Sequence, residues 1–221
     1  MKLFTQAILK FTLGVVLIAA LLLLPAGTWA YWNAWLLMGM LFIPMFIAGL
    51  VMLKKDPNLL SSRLRAKEAE GEQQLVIKLS GLMFLCGFIT AGLDFRFGWS
   101  HLPNGVILAA SIAFLLAYLL YAEVLRENAW LSRTIEVQQN QQVVDTGLYG
   151  IVRHPMYAAT LLLFGSMPLV LGSLPAFFIF LCYPFIIAKR IRNEEEVLSR
   201  ELNGYQDYVK RVRYRLIPFV W

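Results

Sequence analysis

Apolar residues gather into six runs along the chain, at roughly 7–24, 30–53, 76–93, 103–125, 156–173 and 175–191. A helix needs about 20 residues to cross the hydrocarbon core, so the second and fourth runs predict clear spans. The fifth and sixth are short and are parted only by Gly172, Ser173 and Pro175, which predicts a tight helical hairpin. Pro44, Pro168 and Pro184 lie inside runs and predict kinks, tolerable where neighbouring helices re-satisfy the freed carbonyls. The last helix is expected to continue through Glu194, Glu195 and Glu196 until Asn203-Gly204 breaks it. Beyond the break, Tyr205, Tyr208, Val209 and Val212 recur at i, i+3, i+4 and i+7 beside Lys210, Arg211 and Arg213. That amphipathic stripe suits a membrane surface or packing over a site. Between the fourth and fifth runs, Thr134–Gln138 alternates and Gln142-Val143-Val144 follows, a pattern for a short β-hairpin or a polar loop. The charged stretch 54–74 reads as a solvated loop or a short interfacial helix.

Composition turns these runs into membrane spans. The 221 residues are 59% apolar and 15% charged, with a mean hydropathy of +0.62. Soluble domains carry roughly 45–50% apolar and about 25% charged residues. The expected fold is an all-α polytopic membrane protein with about six transmembrane helices and no Rossmann domain. Five spans would remain if Lys2, Lys10 and the apolar stretch before Thr28-Trp29-Ala30 acted as a cleaved signal peptide. The net charge of +6 belongs to loops rather than to nucleic-acid binding. With the N-terminus in the cytoplasm, nineteen of the twenty Lys and Arg residues fall on the cytoplasmic side, and Arg96 alone falls across. This predicts a multi-pass protein with both termini in the cytoplasm, in the inner membrane if the protein is bacterial. Trp29, Trp32, Trp35 and Trp99 then mark the outer interface. Cys86 and Cys182 sit in apolar runs and read as small core hydrophobes. Two histidines and no Cys/His cluster give no metal site.

Two cytoplasmic stretches carry candidate chemistry. Pro155 suits the first turn of a helix, whose N–H groups and dipole favour an anion. Arg153 and His154 add donors, so a carboxylate fits there, although such residues at a membrane entry also snorkel or anchor. Arg190 and Glu194 are four apart on one helix face, and Glu194-Glu195 could take an ammonium group or form a solvated ion-pair face. Read together, the two stretches suit a ligand with both charges, an amino acid or a molecule built on one. S-adenosylmethionine meets that description.

The string Gly147-Leu148-Tyr149-Gly150-Ile151-Val152-Arg153-His154-Pro155-Met156-Tyr157, with Arg190, Glu194-Glu195, Tyr205-Gln206-Asp207-Tyr208 and Arg215-Leu216-Ile217-Pro218, resembles the isoprenylcysteine carboxyl methyltransferase family. It is closer to its prokaryotic branch, and related phospholipid N-methyltransferases share the Arg-His-Pro-x-Tyr and Glu-Glu elements. The resemblance covers roughly residues 126–218. It implies a membrane methyltransferase with S-adenosylmethionine as cofactor and a lipophilic methyl acceptor. The N-terminal helices 1–125 would form a lipid-facing bundle, and 126–221 would form the cofactor site. The cofactor would be held by Gln138, Gln141, Gln142, Val143, Val144, Tyr149, Arg153, His154, Pro155, Met156, Tyr157, Glu194 and Glu195. Arg190 and Glu194 would serve the reaction, Arg190 at the acceptor, with the C-terminal tail folded over the cofactor.

An arginine beside the acceptor favours a carboxylate substrate and O-methylation, and phospholipid N-methylation is the alternative. A reductase using NADPH, similar to membrane sterol reductases, is a further reading. A transporter would place ionisable groups near the bilayer midplane, and the runs contain few.

Overall fold

The computed structural model describes residues 2–55, 57, 60, 61, 64, 71–128, 130 and 137–221. Helix α1 runs Lys2–Ala26, α2 Trp32–Lys55, α3 Gly71–Phe97, α4 Asn104–Glu127, α5 Pro155–Val170, α6 Leu174–Phe180, α7 Tyr183–Glu201 and α8 Tyr205–Arg211, with a 3-10 turn at Gly147–Gly150. Among the described residues there is no strand. The chain does reverse at Gln138–Gln141, where the Gln141 amide donates to the Gln138 carbonyl at 3.0 Å. Residues 134–136 of the expected hairpin lie outside the described residues, as does most of 56–70.

Five stretches are long and apolar enough to cross a membrane: Leu3–Ala26, Trp32–Lys55, Gln74–Phe97, Asn104–Glu127 and Leu174–Glu201. Pro155–Val170 is apolar but has 16 residues, about 24 Å of helix against a core of about 30 Å. The protein is thus an all-α polytopic membrane protein. Its last span is broken by a two-residue turn at Leu181-Cys182, just before Pro184.

The outer surface is what a bilayer requires. Leu9, Leu13, Val16 and Leu17 share one face of α1 and are each 59% exposed, which suits acyl chains rather than water. Cys86 and Cys182 also lie on this exposed surface, contrary to the expectation of a buried place. Lipid and core are equally apolar, so sequence cannot separate them. Inside, α4 packs along α5, α1 along α3, and α3 against α6. Gly92 lets α1 and α3 approach closely, since a Cβ there would lie 2.5 Å from the Leu22 carbonyl oxygen.

At one end of the bundle a polar knot ties three turns together. Asp94, 1% exposed, accepts from the Ser100 amide at 2.8 Å and its hydroxyl at 2.6 Å. Ser100 Oγ in turn accepts from the Leu174 amide. Tyr31 Oη donates to the Leu171 carbonyl at 2.7 Å, and Asn33 Nδ2 to that of Val170 at 2.8 Å. The exposed Trp29, Trp32, Trp35 and Trp99 ring this end, as interfacial aromatics do. The opposite end carries the candidate site.

Candidate active site

His154 is the N-cap of α5, and Pro155 occupies its first turn. The approach to it is fixed by the 3-10 turn. Glu127, at the end of α4, accepts the Leu148 amide at 2.9 Å. Gly147 makes that bond possible, because its φ of +51° and its missing side chain leave room where a Cβ would overlap the Glu127 carboxylate. Asn128 Nδ2 donates to Tyr149 Oη at 3.0 Å, and Tyr208 Oη donates to the Tyr149 carbonyl at 2.8 Å.

The C-terminal strap after α8 closes over this turn. The amides of Arg153 and His154 donate to the Tyr214 and Arg215 carbonyls at 2.9 and 2.8 Å. Arg153 Nη1 reaches the Val212 and Arg213 carbonyls at 2.7 and 2.9 Å. Glu195 is the hub beneath. Its Oε1 accepts from Arg153 Nε at 2.7 Å and lies 3.2 Å from His154 Nε2, and its Oε2 accepts from Arg215 Nε at 2.7 Å. Both oxygens of a buried carboxylate are thereby satisfied by cationic or polar donors, the condition under which such burial is tolerated.

One helical step away, Glu194 has a different setting. Tyr157 Oη donates to Glu194 Oε2 at 2.5 Å and accepts from Arg190 Nε at 2.9 Å. The Tyr157 ring stacks on His154 with centroids 5.6 Å apart, and the Arg190 guanidinium lies 5.9 Å from its centroid.

Between the 3-10 turn, α5, α7 and α8 opens a cleft of about 780 Å³, its mouth included. Of the expected cofactor residues, Gln141, Gln142, Val143, Val144, Tyr149, Arg153, His154, Met156, Tyr157 and Glu194 line it. Gln138, Pro155 and Glu195 do not. Gln138 spends its amide and side chain on Gln141 and Trp130, Pro155 is buried in the helix start, and Glu195 points away to the strap. Arg190 also stands outside the cleft wall, behind Tyr157. The cleft adds residues that the sequence reading did not assign to it: Asn128, Trp130, Leu198, Leu202, Tyr205 and Tyr208. Leu198 and Leu202 follow Glu194 at i+4 and i+8, a spacing that could have found them. Burial pushes the Tyr149 phenol up to about 12, the Asn128 hydrogen bond notwithstanding, and raises Tyr205 and Tyr208 above the ordinary tyrosine value.

A second, open and almost wholly apolar cavity, of about 1180 Å³ with its mouth included, lies farther along the same helices. Gly105, Ala109 and Ala113 of α4 form one wall and Leu161, Gly165 and Leu169 of α5 another, with Phe177, Phe180, Tyr183 and Pro184 closing it. A polar step separates it from the cleft: Tyr183 Oη donates to Thr160 Oγ1 at 2.9 Å, and Thr160 Oγ1 to the Tyr157 carbonyl at 3.0 Å.

Residues 106–200, from α4 to the end of α7, match the model of the isoprenylcysteine carboxyl methyltransferase (ICMT) family. The similarity to that family is one of this stretch. The matched region contains the 3-10 turn, the α5 entry, Arg190 and both glutamates, and ends before α8 and the strap. The chain is also similar to a Delta(14)-sterol reductase of Mus musculus, 34% identical over 91 residues, which is 40% of this chain and 22% of that protein. The chain thus covers about a fifth of the length of that relative.

Proposed function

We propose that this protein is an S-adenosylmethionine-dependent methyltransferase acting on a lipophilic acceptor at the membrane surface. The observation that carries the reading is one cleft faced both by the mouth of α5 and by the Glu194 carboxylate of α7. The donor set suits a zwitterion. The positive end of the α5 dipole, with the Met156 amide, and the His154 ring offer partners to a carboxylate, and Glu194 offers one to an ammonium group. Trp130, Tyr149 and Tyr208 give flat apolar surfaces for a purine. Arg153 acts indirectly: with its guanidinium spent on Glu195 and the strap, it positions the α5 mouth and the tail above it.

Bound S-adenosylmethionine supplies an electrophilic methyl group on a sulfonium. The chain's part is to align donor and acceptor, which can be worth about 7–11 kcal/mol of barrier. Arg190, held by the Tyr157 hydroxyl, supplies a cation behind the cleft wall that would orient an acceptor carboxylate. The second cavity would take the acceptor's hydrocarbon portion from the bilayer, while the cofactor enters from water. This favours O-methylation over N-methylation, because an attacking amine gains nothing from a neighbouring guanidinium. On this reading both termini face the cytoplasm, and the first three helices scaffold the site.

The test is calorimetric titration of detergent-purified protein with S-adenosylmethionine. Binding by wild type, abolished in His154→Ala with Glu194→Ala, is the expected result, and absence of binding by wild type refutes the reading. The similarity to a sterol reductase motivates a second reading, with a nicotinamide dinucleotide in the cleft. Against it, Arg153 is the lone Lys or Arg among the described lining residues and is already engaged, a poor match for several phosphates. Titration with NADPH decides between the two.

A further inference from the structure

Tyr205 begins α8, in the part of the chain that closes over the cleft, and is 3% exposed. Its ring packs with Leu202, Tyr208 and Val212 and lies 5.7 Å from the Tyr208 ring. Tyr208 uses its hydroxyl on the Tyr149 carbonyl. The Tyr205 hydroxyl, although buried in the wall of the cleft, has no hydrogen-bond partner among the described residues. A buried hydroxyl left this way has lost its water and gained nothing for it, which marks it as a group waiting for a ligand.

Its surroundings say which ligand. The charges that act on it include Glu195, Glu194 and Arg153. Glu195 and Arg153 satisfy each other and the strap. Glu194 commits only Oε2, to Tyr157, and its other oxygen has no partner among the described residues. The Tyr205 and Glu194 side chains therefore both belong to the wall of one cleft, each with an oxygen able to accept.

We propose that the Tyr205 hydroxyl completes the seat of the ammonium group of the cofactor's amino-acid end, accepting one N–H while Glu194 accepts another. This rests on the S-adenosylmethionine reading above. An ammonium group has three donors and no acceptor, so it satisfies both oxygens at once. Burial keeps the phenol neutral, with its lone pairs available. The residue lies beyond the 106–200 family match, so the C-terminal part of the chain contributes to ligand affinity directly as well as by covering the cleft.

Tyr205→Phe keeps the ring and removes only the oxygen. Full-length protein in detergent is titrated with S-adenosylmethionine, with its decarboxylated analogue and with 5′-methylthioadenosine, which has neither amine nor carboxylate. The variant is expected to bind the first two about ten-fold more weakly and the third unchanged. Its ligand-free Tm should be equal to or above that of wild type, because an unsatisfied polar atom has been removed. Unchanged affinity for S-adenosylmethionine overturns the proposal. So does an equal loss for all three ligands, and so does a loss for S-adenosylmethionine that disappears with the decarboxylated analogue. Wild-type protein that binds none of the three refutes the cofactor reading itself and this inference with it, a failure distinct from an unchanged ratio between variant and wild type.

Discussion

Glu194 and Glu195 are neighbours of identical chemistry, and helix phase alone gives them different tasks. One turns toward the cleft and Tyr157, the other toward Arg153, His154 and Arg215. Removing Glu195 leaves the 7%-exposed Arg153 without its counter-charge, an error that typically costs 3–5 kcal/mol. Glu195→Ala should lower Tm strongly and free the tail for proteolysis, whereas Glu194→Ala should shift Tm far less and abolish cofactor binding. Thermal unfolding and calorimetry on the two variants check this. Tyr157 deserves a separate experiment, since its hydroxyl joins Arg190 to Glu194. Tyr157→Phe should lower methyl turnover on a membrane-lipid extract by about ten-fold or more while changing cofactor affinity less. Alkaline pH probes the buried phenols. Tyr149 titrates near 12 when folded and near 10 when unfolded. The folded state therefore holds its proton longer, so stability is intact below about pH 10 and falls as pH rises toward 12. Tm followed across that interval should decline, and less so in Tyr149→Phe.

At the scale of elements, the site is assembled from short pieces that helices hold in place. The 3-10 turn depends on Glu127 reaching the Leu148 amide past Gly147. Gly147→Ala meets both a positive φ and the Glu127 carboxylate, so it should destabilise by more than about 1 kcal/mol and weaken cofactor binding through the displaced Tyr149. The strap is held by backbone pairing to Arg153 and His154. The glycine-rich string, the proline at the helix start and the Tyr205/Tyr208 spacing were all visible in sequence. The mutual pairing of Arg153 with Glu195 was not, because a separation of 42 positions gives no local signal. Arg153 precedes α5 and Glu195 lies within α7, two helices whose meeting is a matter of packing.

Across the whole molecule, the polar knot with its tryptophans and the candidate active site occupy opposite ends of the bundle. Asp94→Ala should remove acceptors for two buried or half-buried donors of Ser100, costing about 2–3 kcal/mol. The affinity of the folded fraction for S-adenosylmethionine should stay unchanged. Orientation can be read with single cysteines introduced after Cys86 and Cys182 are replaced. Ser199→Cys should react from the cytoplasmic face of sealed vesicles and Thr28→Cys from the other. Reaction of both from one face would refute the arrangement.

The hydrophobic runs by themselves determined an all-helical membrane protein, the short fifth helix and the end of α7 at Asn203-Gly204. Each follows from local composition and backbone preference, which a linear string contains. The resemblance in 147–157 and 190–195 pointed to residues that the fold gathers at one end of the molecule. Tertiary structure alone decided which glutamate faces the cleft. It also decided that Arg153 is committed to the tail, that Cys86 and Cys182 lie exposed rather than in the core, and that the Tyr205 hydroxyl has no partner among the described residues. These depend on the rotation of one helix against another, and the energy that sets it is distributed over packed side chains far apart along the chain.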